Sequence, residues 1–191
     1  TNQHINPIIE SNNLLVDPSA LAKLEDGRLL VTDFGIDKVL AFDMETGEFL
    51  DTFHSSQFIE HPIDMVSTSS HVYVGSRDKQ SVAVLTTAGE LVSIFQSGGH
   101  VQDLLLDEEN GQLVVLRDSG NFSGGYEIWD IANEQMLSMQ STPELEAVSC
   151  IARHPYGDFM VGDPVTGSIV RYNAEGQGFA GWFLHWQVAR F

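Results

Sequence analysis

Apolar residues in this chain come in short runs bounded by glycine, asparagine, aspartate and proline, and no stretch sustains a helical period. The runs predict strands. The clearest are 38–43, 81–86, 127–130 and 168–173, in which Phe42, Leu85, Trp129 and Tyr172 occupy matching places, each before a small polar residue that can open a turn. Upstream of each lies a run rich in β-branched residues, at 28–32, 71–75, 112–116 and 158–162. Before those come shorter strands anchored at Leu21, Met65, Leu104 and Ile151. Downstream, residues 49–53, 91–95, 136–140 and 179–183 supply a fourth strand. The turns between them are rich in glycine, as in Glu25-Asp26-Gly27 and Glu45-Thr46-Gly47-Glu48.

Four strands repeated four times, at a spacing of roughly 40 to 50 residues, is the pattern of propeller blades. The expected fold is all-β: about four four-stranded blades at 14–58, 59–97, 98–143 and 144–186, within a single domain spanning 1–191. A two-sheet sandwich also gives short strands with frequent turns, but it does not require the same kind of residue at the same point of every unit. In the first unit, Pro18, Asp26-Gly27, Leu30-Val31-Thr32-Asp33, Val39-Leu40-Ala41-Phe42-Asp43 and Thr46-Gly47-Glu48 together resemble an NHL-type repeat, and the other units resemble degenerate copies. Features similar to WD repeats are secondary: Trp129-Asp130 closes a third strand and Gly99-His100 opens a unit, in no case within one complete motif. The resemblance implies a rigid propeller. NHL-type rings usually carry about six blades, so four make a compact ring, part of a larger one, or an open arc completed by another copy. The apolar segment 7–9 is expected to pair with the last blade.

Composition narrows the partners. Nine basic against 27 acidic side chains give a formal charge of −18. Such a surface repels nucleic-acid phosphate and anionic lipid. No apolar run is long enough for a membrane-spanning helix. The single cysteine, Cys150, forms no internal disulfide and sits in an apolar first strand, where packing is its expected role. The compartment stays open, with the acidity pulling slightly toward an exported protein, periplasmic or extracellular.

Propeller sites form where the loops entering first strands meet the loops joining second to third strands. The first class holds His61, His100 and Gln102; the second holds Asp33 and Asp163, along with Arg77, Asp78, Arg117 and Asp118. His61 and His100 occupy equivalent places and are candidates for a paired binding role. His154, before Pro155, reads as a turn residue. The glycine-rich segment 120–125 reads as an exposed loop with Phe122 at its tip, and Trp182, Trp186 and Phe191 as aromatic anchors for a partner. No nucleophile elbow and no tight metal-ligand spacing occurs, so no catalytic residue is assigned. The expected function is a non-enzymatic binding or assembly module that engages a protein partner or further copies of itself, without a required cofactor. The alternative is a hydrolase or lyase similar to gluconolactonases, which use a divalent ion at the channel. That resemblance implies Ca²⁺ or another divalent cation held by Asp33, Asp64, Asp103 and Asp163 or their neighbours.

Overall fold

The structure, a computed structural model, describes residues 14–120, 124–173 and 179–184, of which Phe179 and residues 182–184 are described through their backbone. Every element among the described residues is a strand, and the sixteen strands form four antiparallel four-stranded sheets in sequence order. The first sheet holds β1 (Pro18–Lys23), β2 (Arg28–Asp33), β3 (Lys38–Asp43) and β4 (Phe49–His54). The second holds β5 (Pro62–Ser67), β6 (His71–Ser76), β7 (Ser81–Thr86) and β8 (Leu91–Gln96). The third holds β9 (His100–Asp107), β10 (Gln112–Asp118), β11 (Gly124–Asp130) and β12 (Gln135–Ser141). The fourth holds β13 (Cys150–Arg153), β14 (Phe159–Asp163), β15 (Ser168–Tyr172) and β16 (Phe179–Leu184).

The chain divides into two compact units, Thr1–Ser76 with Ala83–Ser93 and Arg77–Val82 with Ile94–Phe191, so the division falls inside the second sheet. In the first unit, β2 and β3 are covered on both faces, which is why they read as nearly continuous apolar runs. One face of the first sheet, with Leu30, Val39, Ala41 and Phe53, packs against Met65, Val74, Ala83 and Leu85 of the second. Val31, Leu40 and Phe42 form a separate core on its other face. Burying a side chain such as Leu30 or Phe42 stabilises the fold by about 1.5–3 kcal/mol. The turn between β7 and β8 admits only glycine at position 89. A Cβ there would lie 2.1 Å from the Phe53 carbonyl oxygen, and φ is +84°.

In the second unit, Val114, Leu116, Tyr126 and Ile128 of the third sheet pack against Ile151, Phe159, Val161, Val170 and Tyr172 of the fourth. Tyr126 meets Phe159 and Tyr172 edge-on, with ring centroids 5.4 and 5.9 Å apart.

Outer strands share a distortion. Opposite Ala41-Phe42, Ile128-Trp129 and Arg171-Tyr172, the outer strand inserts one extra residue, Leu50, Leu137 and Ala180 respectively. Such a bulge bends the edge strand and turns two successive side chains to nearly the same side. Phe49 with Leu50, and Met136 with Leu137, are accordingly exposed in pairs, and Leu91 with Val92 are exposed at the start of β8.

Three expectations change. Residues Gly124 and Gly125 of the glycine-rich segment are strand, not loop: they are buried in β11 opposite Asp118 and Arg117, and a Cβ on Gly125 would lie 2.3 Å from the Gln140 carbonyl oxygen. Cys150 is exposed at the start of β13. Leu21 is 64% exposed, whereas Met65, Leu104 and Ile151 at the matching register are buried. Segment 7–9 lies outside the described residues.

Candidate functional site

The loops entering the sheets are held by one recurring device. At the end of β2, the buried Asp33 accepts hydrogen bonds from the amides of Val16 (2.7 Å), Asp17 (3.0 Å) and Gly35 (2.9 Å). At the end of β6, Ser76 Oγ accepts from the Glu60 amide and donates to the Glu60 carbonyl, both at 2.8 Å. At the end of β14, Asp163 accepts from Glu146 (2.8 Å), Val165 (2.8 Å) and Thr166 (3.1 Å). A buried backbone amide without an acceptor is costly, so each strand end supplies one. At Asp163, burial pushes the carboxyl up, but the amides together outweigh it and hold the group below its ordinary value.

The third sheet reaches the same result differently. Arg117 pairs with Val101 near the end of β10 and has no acceptor to offer. The carboxylate comes instead from Glu127 on β11, which accepts from the Gly98 amide at 2.7 Å and from Trp129 Nε1 at 3.1 Å. Arg117 Nε lies 3.0 Å from Glu127 Oε1, off the line of a directed hydrogen bond, so the contact is a buried ion pair. The indole of Trp129 stacks on Phe95 at 4.8 Å. Sequence reasoning missed Glu127 and Ser76 in this role. The available signal was Glu127 itself, a charge inside the apolar strand Tyr126-Glu127-Ile128-Trp129, combined with an arginine in the register of Asp33 and Asp163.

Each histidine candidate abuts the second-to-third-strand loop of the preceding sheet. The His61 amide donates to Asp37 Oδ1 at 2.7 Å, and its ring stacks on Phe34 at 4.3 Å. His100 Nδ1 lies 3.0 Å from the Arg77 carbonyl, which fixes the proton on that nitrogen, and 3.9 Å from Asp78. Gln102 is half-buried on β9. Asp103 Oδ2 accepts from the Ile151 amide at 2.7 Å, tying β9 to β13, and Asp64 is half-buried on β5 opposite Gly75. Among the described residues, no three of histidine, cysteine, aspartate and glutamate are grouped as a metal ion would need. Trp182 pairs through its backbone with Val170. Phe122, Trp186 and Phe191 lie outside the described residues. No helix is long and apolar enough to cross a membrane among those described.

No protein-family profile and no characterised protein sequence matches the chain. Solved structures share its architecture. The hydrazine synthase of Kuenenia stuttgartiensis is similar with a TM-score of 0.68 and 14% identity, over 86% of this chain and 56% of that one. A chain of a nidogen/laminin complex gives 0.73 and 14%, over 91% and 65%. Streptogramin B lyase gives 0.66 and 12%, over 84% and 52%. Likeness at this level of identity shows the fold alone, and that fold is an all-β propeller of four-stranded blades. The chain spans between about half and two thirds of the length of these structures.

Proposed function

We propose that the protein is a non-enzymatic binding and assembly module, built on NHL-type blades, whose partners are proteins or further copies of itself. The observation that carries this reading is the recurrent exposure of paired apolar side chains on the outer strands: Phe49 and Leu50, Leu91 and Val92, Met136 and Leu137. Met139 adds to the last of these, 53% exposed on β12. Scattered exposed apolar residues need no explanation, but an adjacent apolar pair exposed near the start of the fourth strand in each of three sheets is a recurring feature. Methionine and leucine side chains adapt to varied partner surfaces. The loop carboxylates also support the reading, because Asp33, Asp163 and Glu127 already hold backbone amides.

The experiment compares the wild-type chain with the variant Leu50→Ser/Val92→Ser/Leu137→Ser. Solution mass is measured by light scattering over a concentration series, and retained proteins are compared in extracts of the source cells. These positions are exposed, so the urea midpoint should move little. The variant should lose self-association or partners that the wild type holds. Identical mass and identical partners in both chains would overturn the proposal.

A further inference from the structure

The turn joining β9 to β10 and the turn joining β13 to β14, both in the second unit, enclose an open groove of about 830 Å³. One side carries Asp107, Glu108 and Glu109; the other carries Arg153, His154 and Tyr156. Arg153, the one Lys or Arg lining the groove among the described residues, is already spoken for: it pairs with the buried carboxylate of Asp107 and lies over the Phe159 ring at 5.9 Å. Asn110 Nδ2 donates to Asp107 at 2.8 Å, which fixes that carboxylate further. With Asp107 and Arg153 neutralising one another, the exposed Glu108 and Glu109 set the charge of the groove. Facing them is an aromatic wall. Tyr156 is 84% exposed, an unusual position for a large ring, and its backbone is held by its amide donating to His154 Nδ1 at 3.3 Å. The two rings stand 5.0 Å apart.

Carboxylates opposite exposed aromatic faces are the surroundings that a planar cation prefers, because a guanidinium can stack on a ring while its edge donates to carboxylate oxygens. The groove is large enough for one such side chain with some of its flanking main chain. We infer that this groove receives an arginine side chain presented by a protein partner, with Glu108 and Glu109 pairing its charge and Tyr156 stacking on its plane. The inference rests on the binding-module reading and names what one of its surfaces recognises. The charge of −18 on the whole chain favours the approach of a basic segment.

The test titrates the full chain with the blocked tripeptide acetyl-Gly-Arg-Gly-amide and follows the ring resonances of Tyr156 and His154 by NMR. The same peptide with citrulline, which keeps the shape and loses the charge, is the control. The arginine peptide should give saturable shifts at both rings, and the citrulline peptide should not. In Glu108→Gln/Glu109→Gln the binding should weaken about threefold for each carboxylate removed, and added salt should weaken it in the wild type. Tyr156→Ala, read at His154, should weaken it by a further factor of about two to five. All these side chains are exposed or in a turn, so the variants should fold. Absence of saturable shifts, equal shifts with citrulline, or an unchanged titration in Glu108→Gln/Glu109→Gln would overturn the inference. Failure here with continued loss of partners from the outer-strand variant removes the groove and leaves the binding-module reading standing. Peptide binding with no effect of the outer-strand variant removes the outer-strand pairs as the contact and leaves a module that binds through the groove.

Discussion

Replacing Glu127 by alanine tests the loop-anchoring device where it is most exposed to failure. Glu127 is fully buried, and its carboxylate holds the Gly98 amide, Trp129 Nε1 and the charge of Arg117. Its removal leaves a guanidinium that is 6% exposed with, among the described residues, the Ser119 hydroxyl as a neutral acceptor, together with three donors, the Gly98 amide, Trp129 Nε1 and the Ser97 hydroxyl, lacking their partner. Breaking a buried ion pair from one side costs about 3–5 kcal/mol. The three orphaned donors do not add in full, because water can enter the space left by the side chain, so about 3–5 kcal/mol is the expected total. For a chain of this size that corresponds to a fall in Tm of roughly 6–20 °C. Urea unfolding followed by tryptophan fluorescence suits the measurement, since Trp129 is stacked and buried beside the site. The companion variant Arg117→Leu/Glu127→Leu removes both charges and should cost clearly less than the two single changes added together. A loss below about 1 kcal/mol in Glu127→Ala would refute the anchoring role. So would a double variant whose cost equals the sum of the singles.

Other expectations follow from the same geometry. Because Asp163 is held below the ordinary carboxylate value of 3.8, its contribution to stability is complete above that value and is lost as pH falls through the lower folded-state value. The urea midpoint of the wild type should therefore drop more steeply under acid than that of Asp163→Asn, and parallel curves would contradict this. The Tyr126 hydroxyl is buried without a partner among the described residues, and burial pushes its pKa up to about 12. Tyr126→Phe should be neutral or stabilising by up to about 1 kcal/mol in urea unfolding, and a comparable destabilisation would reveal an acceptor. Calcium uptake measured by equilibrium dialysis should be the same for the wild type and Asp33→Asn, because that carboxylate holds the incoming loop. Uptake that disappears in the variant would make Asp33 a ligand.

The strands were legible because their physical requirements are local. β3 and β7 match their predicted limits, since an apolar run flanked by turn residues leaves little choice of register. The second strands run beyond their predicted ends, to Asp33, Ser76, Asp118 and Asp163, because the polar residues taken as loop belong to the ladder, where Asp33, Ser76 and Asp163 hold an amide of the incoming loop and Arg117 pairs with Glu127. Gly124 and Gly125 were hidden for a related reason: glycine signals a turn from sequence, but here it lets β11 lie close under the Gln140 carbonyl. At the candidate site, the loops that carry Asp33, His61, His100 and Asp163 could be read, but what their side chains do could not. Whether a carboxylate faces water or an amide 16 residues away is decided by tertiary contact, as it is between Asp33 and Asp17. The groove of Glu108, Glu109 and Tyr156 was invisible for the same reason, being split between two repeats.

The three ways of holding an incoming loop have a consequence for how such a chain can change. What each sheet requires is an oxygen at one point in space, and aspartate, serine or a glutamate from the adjacent strand can deliver it. A substitution at the strand end is therefore survivable whenever a neighbouring position can supply the atom, as Glu127 does beside Arg117. Repeats of this kind can drift until their sequences no longer resemble one another, while the path of the backbone stays fixed.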